Sequence, residues 1–240
     1  MKISIMQPYF FPYIGYWQLI YASDIFVVYD DVNYIKQGWI HRNRIFQNGK
    51  DRYLNIPIIN ASQNKHINET KINYQEDFCN RNYNILKECY KKSPFFSEVI
   101  QIIMDAMKSK EILVSEYLYN QIRYISGILE IKTIIGKSSN IVKNNLLKGE
   151  EKIIDITKKI NGDLYINPIG GTNLYNPEHF KNNGLELKFL KSKLPRYKQF
   201  DKDFIPALSI IDVLMFCGLN NTKDMLKEYD LLSYEMATKV

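Results

Sequence analysis

The sequence predicts an α/β fold, a parallel sheet with a β-hairpin and a helical insertion, on three observations. A short apolar run at residues 2–6 passes through a proline-flanked loop into an apolar helix pattern and returns as a second run at 25–29. In the second half, strand and helix patterns alternate, the arrangement of a parallel sheet with helices on both faces. Between these halves, residues 76–130 carry apolar residues at three- and four-residue spacings, the mark of amphipathic helices inserted into the sheet topology.

Taken in order, Lys2-Ile3-Ser4-Ile5-Met6 is the first strand and Tyr16 to Ala22 the first helix. Pro8 and Pro12 cannot sit inside a central strand or a helix interior, so the segment between them is expected to be a rigid, extended loop. It follows the carboxyl end of a strand, where open α/β sheets bind ligands. The second strand, Ile25 to Tyr29, ends in Asp30-Asp31, which places two carboxylates on the same rim. Residues 38–46 and 52–58 form a β-hairpin around Asn48-Gly49, a dipeptide suited to the positive φ angles of a tight turn. A polar loop at 60–66 leads to a short edge strand over 67–72. Helices are expected at 78–90, 95–107 and 111–129, the second opened by Ser93-Pro94. Thereafter come a strand at 131–135, a helix at 149–160, a strand at 163–167 closed by Pro168, a strand at 185–189, and a helix from Pro206 that Gly218 could close. Neither an internal repeat nor a low-complexity linker interrupts the 240 residues, which suit a single α/β domain over 1–240.

Composition excludes several classes. A net charge of +6, carried by dispersed lysines, suits phosphate-bearing ligands but is too weak and scattered to call for DNA. Cys79, Cys89 and Cys217 lack paired or metal-ligand spacing and read as apolar fillers in a reducing compartment. With only His41, His66 and His179 as histidines, and no helical HxxxH pair, no metal site is expected. No run approaches the ~18 apolar residues of a membrane span. The amino terminus enters a strand directly, without the features of a targeting segment. The expected location is cytoplasmic.

The chemistry-bearing residues fall in four groups. Gln7, Tyr9, Tyr13 and Tyr16 populate the proline-flanked loop and the start of the helix that follows it. Asp30 and Asp31 could orient an amine or act as general base. In a strand, His41 and Asn43 share one face while Arg42 and Arg44 share the other. One face then supplies a base, while Arg42, Arg44 and Lys36 neutralise phosphate. Asn167-Pro168-Ile169-Gly170-Gly171-Thr172, directly after a strand, lets backbone N–H groups approach a phosphate or sugar. It lacks the signatures of a P-loop or a dinucleotide-binding turn. Tyr197 and Gln199 follow Pro195 in a loop that reads as a lid, and Ser209 and Asp212 have the spacing of a helix cap.

Several of these segments together resemble the WbqC-like family: QPYFFPYIGYWQLI, SDIFVVYDDVNYIKQGWIHRNRI, LNIPI, YINPIGG with Tyr175 after it, and FIPALSIIDVLMFCG. The resemblance implies a bacterial protein of surface-polysaccharide (O-antigen) biosynthesis that acts on a nucleotide-linked amino sugar. The activity it implies is a transferase that attaches an acyl or aminoacyl group, such as glycyl, to the sugar's amine. In that reading His41 or Asp31 is the catalytic base. Gln7, Tyr9, Tyr13, Tyr16, Asp30, Lys36, Arg42, Asn43, Arg44, Asn167, Gly170, Gly171, Tyr175 and Tyr197 bind substrate. An acyl donor is required, and it could be a carrier thioester, an aminoacyl-tRNA or an acid activated by ATP. The alternatives are an ATP-dependent ligase and a non-catalytic sugar-nucleotide binding protein. A second, fold-level resemblance is to nucleotidylyltransferases and pantothenate synthetases, which carry HxGH where this chain has Tyr13-Ile14-Gly15-Tyr16; it implies a Rossmann-like (HUP-type) sheet.

Overall fold

The protein is described from a computed structural model that covers residues 1–200 and 203–239. Strand β1 (Lys2–Met6) leads to α1 (Ile14–Ala22) and β2 (Ile25–Val28). The hairpin follows as β3 (Arg42–Gln47) and β4 (Lys50–Asn55), then β5 (Ile58–Ile59) and β6 (Lys71–Ile72). Helices α2 (Phe78–Tyr90), α3 (Phe96–Met107) and α4 (Val114–Ile128) stand between β2 and β7 (Ile134–Lys137). The chain closes with α5 (Gly149–Lys159), β8 (Leu164–Pro168), α6 (Pro177–Asn182), β9 (Glu186–Ser192), α7 (Ile210–Met225), β10 (Tyr229–Leu232) and α8 (Tyr234–Ala237).

The central sheet has the order β10-β9-β8-β1-β2-β7, and all its neighbours are parallel except β10, which runs antiparallel to β9. The fold is therefore mixed α/β on a mostly parallel sheet. Strand order runs outward from β1 in both directions: β2 and β7 on one side, β8 and β9 on the other. The side chains obey the two-residue period of a strand. Ile3, Ile5, Val27, Tyr165, Leu187 and Phe189 pack on one face with Ile153 and Ile156 of α5 and Phe180 of α6. Phe26, Val28, Ile166 and Leu190 pack on the other with α1, α7 and the helical insertion. Both faces are covered, which is why these strands read as continuous apolar runs.

The proline-flanked loop is not extended throughout. Phe11 adopts a left-handed conformation (φ 40°) and turns the chain so that Phe10 and Phe11 bury their rings edge to face, 4.9 Å apart. Asn43 holds the turn by donating Nδ2 to the carbonyls of Phe10 and Phe11, at 3.0 and 2.9 Å. Ser209 donates its hydroxyl to the same Phe11 carbonyl at 2.7 Å, and Gln121 accepts from the Phe11 N–H at 3.0 Å.

Four further expectations shift. The hairpin is shorter than 38–58, but its turn is as expected: Asn48 and Gly49 both have positive φ, 50° and 82°. Only Lys71–Ile72 of the 67–72 segment is a strand. Glu69 reaches back to accept from the His66 N–H at 2.9 Å and closes Ile67–Glu69 into a 3-10 turn instead. The strand expected at 131–135 begins at Ile134, because the Ile131 N–H bonds back to the Ser126 carbonyl and extends the end of α4. Helix α7 does not stop at Gly218; it kinks there (φ 72°) and continues to Met225. A Cβ on Gly218 would meet the Phe95 ring at 2.6 Å, so both the φ angle and the close ring require glycine.

Candidate substrate cleft

Where strand order reverses, between β1 and β8, a cleft of about 530 Å³ opens above the carboxyl ends of the strands. Parallel strands all present their carboxyl ends to one edge, so β1, β2 and β8 deliver their following residues to this place. After β1 come Gln7 and Tyr9; after β2, Tyr29 and Val32; at the end of β8, Asn167 and Pro168. Gly170, Gly171, Leu174 and Tyr175 close one wall, and Gly149, Glu150 and Ile153 bring in the amino-terminal end of α5. A groove of similar size, about 570 Å³, runs along Glu151, Asp155, Lys158 and Lys159 on α5. It receives no strand end, and its lining is a solvated charged face.

The cleft walls are apolar with a few convergent polar groups, the usual make-up of a small-molecule site. Asn167 is fixed by donating Nδ2 to the Pro168 carbonyl at 3.0 Å and accepting from the Tyr165 hydroxyl at 3.2 Å. Gly171 is obligatory beside it, since a Cβ there would lie 2.0 Å from Asn167 Nδ2. The Tyr165 and Tyr175 hydroxyls are 3.3 Å apart. Burial, first of all, pushes the Tyr9 phenol up to about 12 and raises those of Tyr29 and Tyr175. All three therefore stay protonated at neutral pH and can donate to a ligand oxygen. Glu150 is the carboxylate of the lining; it accepts from the Asn176 N–H at 2.6 Å and pairs with His179 Nδ1 at 2.8 Å.

Behind Tyr29 lies a cluster that sequence patterns did not bring together. Asp31 pairs with Lys143 at 2.8 Å and Lys152 at 3.2 Å, and Lys152 stands 5.2 Å over the Tyr29 ring. Lys143 also donates to the Ser138 carbonyl. Burial opposes ionisation of Asp31, but the hydrogen bond from Lys143 and the charges of both lysines outweigh it, so its carboxyl lies below the ordinary value. Two cations against one anion leave this cluster net positive, although neither lysine is itself in the cleft lining.

The remaining expected residues are distributed as follows. Asp30 is fully buried, and its carboxylate accepts from the Ser139 N–H and hydroxyl at 2.9 and 2.6 Å, so it has a different partner from Asp31. Tyr16 is buried, with its hydroxyl on the Gln7 carbonyl at 3.0 Å, so it shapes the loop from below. Tyr13, Asn43 and Arg44 line a second hollow of about 160 Å³, which Tyr9 shares with the cleft. His41 precedes β3 outside both linings, 2.6 Å from the Tyr34 hydroxyl. Burial, helped by the Arg42 charge, lowers its pKa to about 4, so the ring is neutral at pH 7. Arg42 donates to the carbonyls of Gly38 and Gln37 and stacks 4.8 Å over Tyr53. Lys36 is exposed in the loop before the hairpin. Tyr197 and Gln199 both donate to Asp212 at 2.7 Å, as does Tyr90 at 2.6 Å. Ser209 caps α7 by accepting from the Ile211 N–H at 3.2 Å, whereas Asp212 serves that buried network and not a cap.

The sequence reading passed over Tyr29, Lys143, Glu150 and Lys152. One signal was available: Lys152 lies four residues before Ile156 on the apolar stripe of α5, where a lysine needs a partner. Among the described residues no group of three or more His, Cys, Asp or Glu is placed to hold a metal ion. Nor is any helix long and apolar enough to cross a membrane.

The sequence profile of the WbqC-like protein family matches residues 7–224. The chain is 25% identical over 224 residues to the uncharacterized protein Rv1507c of Mycobacterium tuberculosis, covering 90% of this chain and 94% of that protein. No solved structure matches.

Proposed function

The chain belongs to the WbqC-like protein family, and on that premise we propose that it is a transferase whose β1/β8 cleft binds a nucleotide-linked amino sugar and forms an amide on the sugar's amine. The observation that carries this reading is the convergence of Gln7, Asn167, Gly170, Gly171 and the first turn of α5 on one cleft at the strand ends. Counted in chain order, the parallel strands stand third, second, first, fourth, fifth (β7-β2-β1-β8-β9), an order used by doubly wound nucleotide-binding sheets. We therefore read the sheet as Rossmann-like, with the ligand at its switch point.

In this reading the diphosphate lies toward the amino-terminal end of α5, where unpaired N–H groups favour negative charge and the net positive cluster of Lys143 and Lys152 behind Tyr29 adds to the field. Gln7, Asn167 and the tyrosine hydroxyls bind sugar oxygens. Amide formation joins the amine nitrogen to the donor's carbonyl carbon and breaks the bond from that carbon to its leaving group. The amine must be neutral to attack, so an acceptor for its proton is needed. Asp31 is the counter-ion of two lysines and His41 stands outside the lining, so the reading moves this role to Glu150. Each carboxylate oxygen of Glu150 retains acceptor capacity beyond its present bond. His179, largely exposed on the other side of Glu150, offers the proton a route to water.

The test is mass spectrometry of nucleotide-linked amino sugars incubated with the purified protein. Three donor arms are run: acyl carrier thioester, aminoacyl-tRNA, and free acid with ATP. Addition of one acyl mass in any arm is the expected result, and Glu150→Gln should abolish it while nucleotide-sugar binding persists. Binding without a mass change in every arm would reduce the protein to a sugar-nucleotide binder. Pyrophosphate release that depends on both acid and ATP would assign it to the ligases.

A further inference from the structure

The second hollow lies between the proline-flanked loop and the hairpin, and it is built like a site for a small anion-bearing molecule. Its aromatic walls are Tyr9, Tyr13 and Trp39, and Arg44 supplies a cation. The Arg44 guanidinium stands 5.5 Å over the Trp39 ring, which fixes its plane. Its ion pair to Asp51, at 3.6 Å, is loose and solvent-facing, the kind of pair that contributes little. The Arg44 Nε–H is buried with no partner among the described residues. A buried unpaired donor is costly, and one on a guanidinium fork beside a cavity is suited to a planar two-oxygen acceptor.

The remaining groups agree. Burial raises the phenols of Tyr9, to about 12, and Tyr13, so both are donors at neutral pH. Backbone strain sits at the same place: Phe11 and Ala207, neither a glycine, have φ of 40° and 55°, and Ala207 is part of the lining. Such conformations persist where the surroundings over-determine them. Here Asn43, Gln121 and Ser209 lock Phe11, and the Ser209 N–H bonds to the Arg44 carbonyl at 2.8 Å. The volume of about 160 Å³ is that of roughly five waters at ~30 Å³ each, room for an acid of amino-acid size.

We propose that this hollow is a second ligand site, specific for a small carboxylic acid whose carboxylate is held by Arg44 and the tyrosine hydroxyls. It rests on the transferase reading for its purpose, since Tyr9 borders both cavities. The binding itself needs no part of that reading.

Trp39 lines the hollow, and the other tryptophan, Trp17, is fully buried and serves as a constant background. Tryptophan fluorescence of the full chain is therefore titrated with acetate, glycolate, glycine and alanine, with glycinamide as the neutral control and inorganic phosphate as the other anion. A saturable change with at least one acid and none with glycinamide is expected. Arg44→Met should weaken it about tenfold or more with an unchanged circular dichroism spectrum, and Arg44→Lys should restore part of it. Lys152→Met, which alters the charged cluster behind the cleft and no residue of the hollow, should leave it intact, so failure of the cleft reading and failure of this site are separable. No saturable change with any acid, an equal response to glycinamide, or saturation by phosphate alone would overturn the proposal.

Discussion

Two carboxylates in this molecule have opposite surroundings. Asp31, beside the cleft, is neutralised by two lysine charges and stays ionised below the ordinary carboxylate range. Asp212, in the core between α2, α7 and the segment that carries Tyr197 and Gln199, meets no cation among the described residues; burial raises its pKa, opposed by hydrogen bonds from Tyr90, Tyr197 and Gln199. The first cluster carries more cation than anion and borders a hollow. The second has every donor aimed inward and ties three chain segments together. Surplus charge next to open space suits an anionic ligand, whereas a saturated network suits a fastening. Both carboxylates follow or begin an apolar run in sequence, so only their partners tell them apart.

Breaking the first cluster at its most buried member should have the largest effect. Lys143, only 2% exposed, is replaced in Lys143→Met, which should cost about 3–5 kcal/mol of stability in urea unfolding, the usual result of removing one partner from a buried pair. A loss no larger than that of a surface lysine would dissolve the contrast. Asp212→Asn should cost about 1.5–3 kcal/mol by the same measurement, because charge-assisted bonds become neutral ones. Its nucleotide-sugar affinity should equal that of the wild type by calorimetry. Lys152→Met, which also removes a partner of Asp31, should in addition weaken that affinity by about 1–2 kcal/mol, the interaction of unit charges roughly 8 Å apart at an effective dielectric near 20.

The smallest effect is on pH dependence. His41 has a folded pKa of about 4, below its ordinary 6.5, so its contribution to stability is present above pH 6.5 and is lost as pH falls toward 4. Asp31, also depressed, likewise loses its contribution in acid, as pH drops through its lowered pKa. Asp212 is shifted upward, so its term has the reverse sign and grows as pH falls toward the ordinary carboxylate value. Thermal midpoints between pH 7 and 4 should therefore fall less steeply in His41→Gln than in the wild type, and more steeply in Asp212→Asn.

Much of the frame was legible because its signals are local. The short apolar runs of β1, β2, β8 and β9, the Asn48-Gly49 turn and the helical spacings of α2 to α4 each need only a few consecutive residues. Strand β10 and helices α6 and α8 were missed. The antiparallel return of Tyr229–Leu232 is set by its long-range pairing with β9, although Asn176-Pro177 did carry a cap and a first-turn proline for α6. Of the site, the loops after β1 and β8 could be read because strand ends are where parallel sheets bind ligands. What stayed hidden was pairing across the chain. Asp31 with Lys143 and Lys152 spans more than a hundred residues, and Asn43 proved to latch the Phe10-Phe11 turn, which no spacing rule reports. Arg42 and Arg44 alternate with Asn43 as a strand requires, yet alternation says only which face they share, not what stands opposite.

The account turns on what occupies the β1/β8 cleft, and a crystal structure with a bound nucleotide-linked amino sugar reads that directly. The sugar should lie among Gln7, Asn167 and Tyr175, with the diphosphate at the first turn of α5 and the amine within reach of Glu150. Density on the outer face of α5, or a nucleotide sugar seated against Arg42 and Lys36 with the cleft unfilled, would contradict it.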